Sequence, residues 1–158
     1  MKKLMLCLAA SMMLLSAPGS ADWWTDFVIK NLENKNNIKI GRVMWHWVAE
    51  DTNGNNYYLD LDRIKKHDGY IYFWQLENYL KPSGDGLHLS ALYYHQGDCK
   101  LFRDKGLSVS LYKVPMGEGT PDKTMTALPN INWKGPYPPD TIGQEMITFV
   151  CKYAEKMP

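Results

Sequence analysis

Two cysteines, Cys99 and Cys151, are the residues whose chemistry this sequence indicates most clearly. Cys99 follows a Gly97-Asp98 turn in a run of strand-like segments, and Cys151 lies in the strongest helical pattern, near the C-terminus. Two such thiols in an oxidising compartment are expected to join. They are too far apart for the Cys-x-x-Cys spacing of catalytic redox pairs, which favours a structural bond. The sequence therefore predicts a disulfide that joins a C-terminal helix to a sheet.

The N-terminus predicts export into such a compartment. Two lysines precede an apolar stretch at residues 4–15, and small residues follow as far as Ala21. This pattern predicts a signal peptide, residues 1–21, cleaved between Ala21 and Asp22. The alternative is a membrane anchor, but the apolar stretch has 12 residues, whereas a spanning helix needs about 20. Cys7 lies inside the stretch rather than after it, so the segment lacks a lipid-accepting cysteine at the cleavage point.

The mature chain, residues 22–158, is close to neutral. Without the signal peptide it carries 16 lysines and arginines against 17 aspartates and glutamates. It has no long basic run, which argues against binding to nucleic acid or to an anionic membrane. No apolar run in the mature chain approaches spanning length, so no transmembrane segment is predicted there. Its 137 residues fit one domain.

Other polar residues lack the spacing that catalytic or metal chemistry requires. None of the four histidines forms a His-x-His or His-x-x-x-His pair. Closely spaced carboxylates are more typical of turns than of acid–base catalysis. The segment 116–119, which contains two glycines, does not precede a helix and so lacks the usual context of a phosphate-binding loop. The sequence therefore predicts no catalytic residue, no metal ligand and no cofactor, and the protein is not predicted to be an enzyme. The candidates considered are His46, His67, His88, His95, Asp60, Asp62, Arg63, Asp98 and Met116-Gly117-Glu118-Gly119.

Alternating apolar and polar residues predict several β-strands after residue 41. An Asn53-Gly54 step is typical of a hairpin turn, and the other connections are also short, so the strands should be antiparallel. Gly106 predicts a bulge or bend. The predicted strands begin near Val43, Tyr57, Tyr70 and Leu87. Lys100–Asp104 and Leu107–Val114 are predicted to form one further strand or a pair of strands, and a short strand is predicted near Met125–Leu128 inside a long loop.

Helical patterns occur at both ends of the mature chain. Apolar spacing over Trp24–Leu32 predicts a short helix in an N-terminal extension, residues 22–40. A Thr141-x-x-Gln144 capping box predicts that the last helix begins at Ile142, and it should run to about residue 155. The predicted fold class is therefore α+β: a single antiparallel β-sheet with a C-terminal α-helix packed on one face and tethered by the disulfide.

Aromatic residues are the remaining signal. The sequence contains six tryptophans and ten tyrosines, and such side chains are common anchors at binding surfaces. Most of them are expected to form core contacts or cross-strand pairs. If the helix covers one face of the sheet, the opposite face is where a partner would bind.

Several segments together resemble the bacterial surface-adhesin protein E family. The resemblance spans residues 47–151, about 105 of the 137 mature residues. The matching pieces are Asn56-Tyr57-Tyr58-Leu59-Asp60, Ile64, Tyr72-Phe73-Trp74, Asp98-Cys99, Leu107-Ser108, Pro115-Met116-Gly117, Trp133 and Phe149-Val150-Cys151. The resemblance implies an exported envelope protein with residues 41–158 as the family domain, and adhesion to host matrix or plasma proteins.

These inferences predict an exported, non-catalytic binding module of the bacterial envelope. Its partner is a protein or a small ligand, with host matrix proteins implied by the resemblance alone. Because the export segment offers no site for a lipid anchor, a periplasmic or secreted form is favoured over a surface-anchored one. The alternative is a periplasmic protein of structural or stress-related role that binds a small ligand or an envelope partner. Neither a particular ligand nor an oligomeric state is predicted.

Overall fold

The computed structural model describes residues 37–126 and 132–158. In these ranges seven strands form one antiparallel sheet, in which strand order follows chain order from edge to edge. One α-helix follows the sheet. The elements are β1 (Asn37–Ile40), β2 (Val43–Glu50), β3 (Asn56–His67), β4 (Tyr70–Asn78), β5 (Ser90–Asp98), β6 (Arg103–Tyr112), β7 (Lys123–Thr126) and α1 (Ile142–Glu155), with a 3₁₀ turn at Pro115–Gly117. This arrangement confirms the predicted fold class.

The sheet begins before the boundary predicted at residue 41. Residues 37–40 form β1, an edge strand that pairs antiparallel with β2, for example Ile38 with Trp45. Gly41 has a φ of 60° in the turn between them, a value that glycine adopts without strain. The predicted signal peptide, its cleavage point between Ala21 and Asp22, and the predicted helix over 24–32 all lie outside the described residues.

Helix α1 lies across β2, β3 and β4 and buries one apolar side. Met146, Ile147 and Val150 of α1 are almost fully buried, and they pack against Leu59 and Phe73 of the sheet. This apolar stripe recurs every three to four residues, which is why the sequence predicted both the helix and its packing.

The N-terminus of α1 forms only half of the predicted capping box. The Thr141 hydroxyl accepts a hydrogen bond from the backbone N–H of Gln144, as predicted. The Gln144 side chain does not reach back to residue 141. Its amide donates instead to the hydroxyl of Thr148, at 3.0 Å, one turn further along the helix. The reciprocal bond of the box is therefore replaced by a bond along the helix surface.

The disulfide joins Cys99, in the turn after β5, to Cys151 in the second half of α1. The two Cα atoms lie 5.6 Å apart, within the range that a disulfide requires. Cys151 is almost fully buried, and Cys99 packs at the border of the same apolar cluster. The predicted tether between helix and sheet is confirmed.

Two predicted strands differ in extent from the observed ones. The strand expected from Leu87 begins at Ser90, because the Asp85 carboxylate accepts the backbone N–H groups of Leu87 and His88 and holds them in a turn. The short strand expected near Met125–Leu128 is β7, which pairs with β6. The predicted irregularity at Gly106 is present: the pairing of β5 with β6 shifts by one residue there.

Candidate functional site

The face of the sheet opposite α1 carries all three tryptophans of the described strands. Cross-strand pairing places Trp45, Asp60, Trp74 and Tyr94 side by side on β2 to β5. The next row contains Trp47, Tyr58, Leu76 and Leu92. Side chains paired in this way share one face of a sheet. We call this surface the open aromatic face and define it as Trp45, Trp47, Tyr58, Tyr72, Trp74 and Tyr94.

The open aromatic face is packed at its centre and accessible around it. Trp45 and Tyr58 are 4% and 6% exposed, and they pack on the fully buried Leu76. Burial, with Glu50 nearby, raises the pKa of the Tyr58 hydroxyl. The Trp74 and Tyr94 rings stack with their centroids 4.7 Å apart and remain partly exposed. The face is therefore a rigid platform of rings rather than a set of loose side chains.

Basic side chains border this platform. The Arg63 guanidinium lies 5.1 Å from the centroid of the Trp74 ring, a distance typical of a cation–π contact. In the row beyond it, Lys65 pairs with Tyr72, and Lys105 lies two strands away on the other side, beyond Gln96. The Lys105 ammonium lies 4.9 Å from the centroid of the Trp133 ring. Within residues 37–126 and 132–158 neither lysine forms an ion pair with a carboxylate. This end of the face therefore presents uncompensated positive charge.

The carboxylates considered for acid–base chemistry form turns instead. Asp60 is 1% exposed; its carboxylate accepts the backbone N–H groups of Asp62 and Arg63 and pairs with the Arg63 guanidinium. Asp98 accepts two backbone N–H groups in the turn after β5 in the same way, and it pairs with Arg103. The structure does not bring Asp60 and Asp98 together around a common cleft.

The glycine segment after β6 is also structural. Three of its four backbone N–H groups donate within the protein: Met116 to the Asn78 side chain at 2.7 Å, Gly117 to the Ser90 hydroxyl at 2.9 Å and Glu118 to the Pro115 carbonyl at 3.4 Å. Met116 packs on the open aromatic face. A loop with most of its amides occupied in this way lacks the set of free donors that a phosphate site requires.

The four histidines lie in separate places. His67 is exposed at a turn, His46 lies on the helix side of β2, and His95 lies on the helix side of β5. The strand predicted to begin near Leu87 would hold both His88 and His95, but β5 begins at Ser90 and His88 precedes it. In the part of the chain that the structure describes, no three His, Cys, Asp or Glu side chains are grouped to hold a metal ion.

His88 joins two loops through carboxylates on both ring nitrogens. Nδ1 contacts Asp85, and Nε2 lies 3.1 Å from Asp122, while the side chain is only 6% exposed. The hydrogen bond to Asp85, followed by that to Asp122, raises the pKa of His88 above its usual 6.5. The protonated ring therefore clamps the segment before β5 to the segment before β7.

We expect this clamp to make stability depend on pH. Because the folded-state pKa is raised, the contribution of His88 is fully present below about pH 6.5 and is lost as pH rises through the folded-state pKa. Urea unfolding of the mature chain and of His88→Gln at pH 5.5 to 9 tests this. The difference between the two proteins should shrink as pH rises. A difference that is constant or grows with pH would contradict the clamp.

Comparison with known proteins agrees with the sequence resemblance. The family described as Surface-adhesin protein E matches residues 45–152, which is more than half of the chain. The protein belongs to this family. Among curated proteins, no sequence matches it.

Solved structures show the same fold. A second crystal form of Haemophilus influenzae protein E superimposes with a TM-score of 0.50 at 18% identity, covering 70% of this chain and 90% of that one. Another structure of the same protein has a TM-score of 0.50 at 12% identity, covering 80% and 98% of the two chains.

Within the described residues, no helix is both long and apolar enough to span a bilayer.

Proposed function

We propose that the protein is an exported, non-catalytic binding module of the bacterial envelope that uses the open aromatic face to bind a protein of the host matrix or plasma. Membership in a surface-adhesin family supports the class of function. The proposal includes removal of residues 1–21 between Ala21 and Asp22, and a family domain at residues 41–158. It also includes a periplasmic or secreted location, since the export segment lacks a lipid-accepting cysteine.

The observation that carries the proposal is the open aromatic face itself. Trp47, Trp74 and Tyr94 are large rings that stay partly exposed, although a sheet face that serves only stability would be covered or polar. Tryptophan and tyrosine are the residues most enriched among those that dominate binding energy at protein interfaces. Rings held in place by stacking lose little conformational freedom when a partner binds, which favours affinity.

The charges around the face indicate the chemistry of the partner. Lys65 lies beside Tyr72, Lys105 lies in the same row beyond Gln96, and Arg63 lies over Trp74. The partner surface should therefore combine an apolar patch with acidic side chains. Such complementarity accelerates association and weakens with salt.

A binding experiment tests the proposal directly. Immobilised laminin, vitronectin and plasminogen are titrated with the mature chain, with Trp74→Ala and with Leu87→Ala as the matched control. Leu87 is 59% exposed and lies outside the strands, so its loss should leave affinity unchanged. Truncation of a central aromatic anchor should weaken binding by about tenfold or more.

Two outcomes contradict the proposal. One is that the mature chain shows no saturable binding to any of these proteins at micromolar concentrations. The other is that Trp74→Ala binds as tightly as the unmodified chain. Circular dichroism of each variant checks that the sheet is intact, so that a loss of binding reports on the face itself.

A further inference from the structure

A cavity of about 620 Å³ lies on the helix side of the sheet, between β4–β6 and the first turns of α1. It lies beside α1, which packs across β2 to β4, and Lys134 and Tyr137 border it as well. Its volume falls within the range of about 300–1,000 Å³ that is typical of small-molecule sites. The walls are largely apolar and include Phe73, Leu107, Val109, Met125, Met146 and Ile147.

One end of the cavity is anionic. The Glu77 carboxylate accepts hydrogen bonds from the Gln75 amide at 2.9 Å and from the Tyr79 hydroxyl at 3.0 Å. Among the described residues it forms no ion pair. Burial raises the pKa of Glu77 by more than the Tyr79 hydrogen bond, His95, Gln75 and Lys134 together lower it. The carboxylate is thus partly withdrawn from water and has no ion-pair partner among the described residues, which is an unfavourable state that a bound cation would relieve.

Two tyrosines of neighbouring strands line the cavity near this carboxylate. Tyr57 lies directly opposite Glu77 on β3, and Tyr93 lies opposite Gln75 on β5; both rings line the cavity. The Tyr57 hydroxyl donates to a second carboxylate, Asp51, at 3.1 Å. Phenol rings around a carboxylate form the kind of cage that recognises ammonium groups, since each ring face attracts positive charge.

The other charged groups of the cavity do not offset Glu77. Asp104 is buried and lies 2.6 Å from Nδ1 of His95; it also accepts a hydrogen bond from the Tyr137 hydroxyl. Asp104 therefore has polar partners of its own in the cavity wall. Lys134 lies at the exposed rim, where water screens its charge. Among the described residues, the carboxylate in this cavity that has no ion-pair partner is therefore Glu77, which disfavours an anionic ligand.

We propose that this cavity binds a small amphipathic organic cation whose ammonium group lies at Glu77, beside the rings of Tyr57 and Tyr93. The apolar part of the ligand fills the space against Leu107 and Val109. This site is separate from the open aromatic face, which lies across the sheet, and it takes a different class of ligand.

Dansylcadaverine, an apolar fluorophore with a primary ammonium group, is a suitable probe. Titration of the mature chain, followed by dansyl fluorescence, should give saturable binding at micromolar concentrations. The N-acetyl derivative of the probe has the same apolar part without the charge and should bind at least tenfold more weakly. Glu77→Gln should weaken dansylcadaverine binding at least tenfold, whereas Glu145→Gln, the same change at an exposed position of α1, should have no effect.

Val109→Trp provides a second test that does not alter charge. It fills the cavity from β6 and should abolish binding of both probes. The proposal is overturned if the mature chain does not bind dansylcadaverine saturably, if the neutral derivative binds equally well, or if Val109→Trp binds like the unmodified chain. Even if Glu77→Gln does not fold, the comparison of the two probes on the unmodified chain shows whether binding requires the ammonium charge. Binding to matrix proteins is measured in parallel and should be unchanged in Glu77→Gln, so the two proposals fail independently.

Discussion

Replacement of both Cys99 and Cys151 by alanine is expected to lower the free energy of unfolding of the mature chain by about 4 kcal/mol. The bond closes a loop with a sequence separation of 52 residues, and the loss of chain entropy in the unfolded state for a loop of this length corresponds to about that value. Domains of this size have a net stability of roughly 5–15 kcal/mol. The disulfide therefore supplies a large share of the total.

Urea unfolding measures this effect. For a slope of about 2 kcal/mol per molar urea, the midpoint of the double variant should fall by roughly 2 M. The unmodified chain in the presence of a reductant is the control and should behave like the double variant. A fall of less than about 1 kcal/mol would show that the helix is held by packing alone and that the bond adds little.

The location of the disulfide also predicts which part of the structure loses most stability when the bond is removed. Cys151 lies between Ile147 and Ala154 on the buried side of α1, so the bond fixes the end of the helix that would otherwise fray. Hydrogen exchange in the last turns of α1 should accelerate more in the double variant than exchange in β4.

Alternation along the strands was enough to predict one face of the sheet. Val43, Trp45 and Trp47 share a parity in β2, which indicated that they point to one side. The register that brings Trp74 and Tyr94 next to them was beyond the sequence, because it depends on which residues pair across each turn. Bulges shift that pairing after Trp47 and after Asp60, and a shift of one residue reverses the face of every later side chain.

The cavity was missed for a different reason. Its existence depends on where α1 lies across the sheet, which is a tertiary arrangement that no local pattern encodes. One signal was present: Gln75 and Glu77 have the parity of Ile71 and Phe73, whose side chains face the core. Polar residues at core-facing positions of a strand are unusual and point to a functional or hydrogen-bonded site.

The turn carboxylates show what residue type alone could predict. Asp98 precedes Cys99 and lies two residues before the first backbone N–H that it accepts, which is the local spacing of an Asx turn. Asp60 uses the same local geometry inside a strand and thereby produces the bulge before Lys65. Both roles depend on neighbours in the sequence, and this is why a structural interpretation was favoured over a catalytic one.

Phe73→Ala is expected to have the second large effect, a loss of about 3–5 kcal/mol in the free energy of unfolding. The ring is 1% exposed and packs between the sheet and α1, where it stacks on His95 with centroids 5.1 Å apart. It also forms part of the wall of the helix-side cavity. Removal of the ring would enlarge this cavity. Because the neighbouring strands and α1 leave the cavity open in the native structure, we expect little collapse around the missing ring and little recovery of the lost free energy of unfolding.

Phe102→Ala is the matched control, because it is the same substitution at a position that is 41% exposed. It should change the free energy of unfolding by less than about 0.5 kcal/mol, as is usual for surface substitutions. Urea unfolding at constant pH compares the two variants with the unmodified chain. Equal effects at the two positions would mean that Phe73 is not at the centre of the contact between α1 and the sheet, and the assignment of the core to this side of the sheet would fail with it.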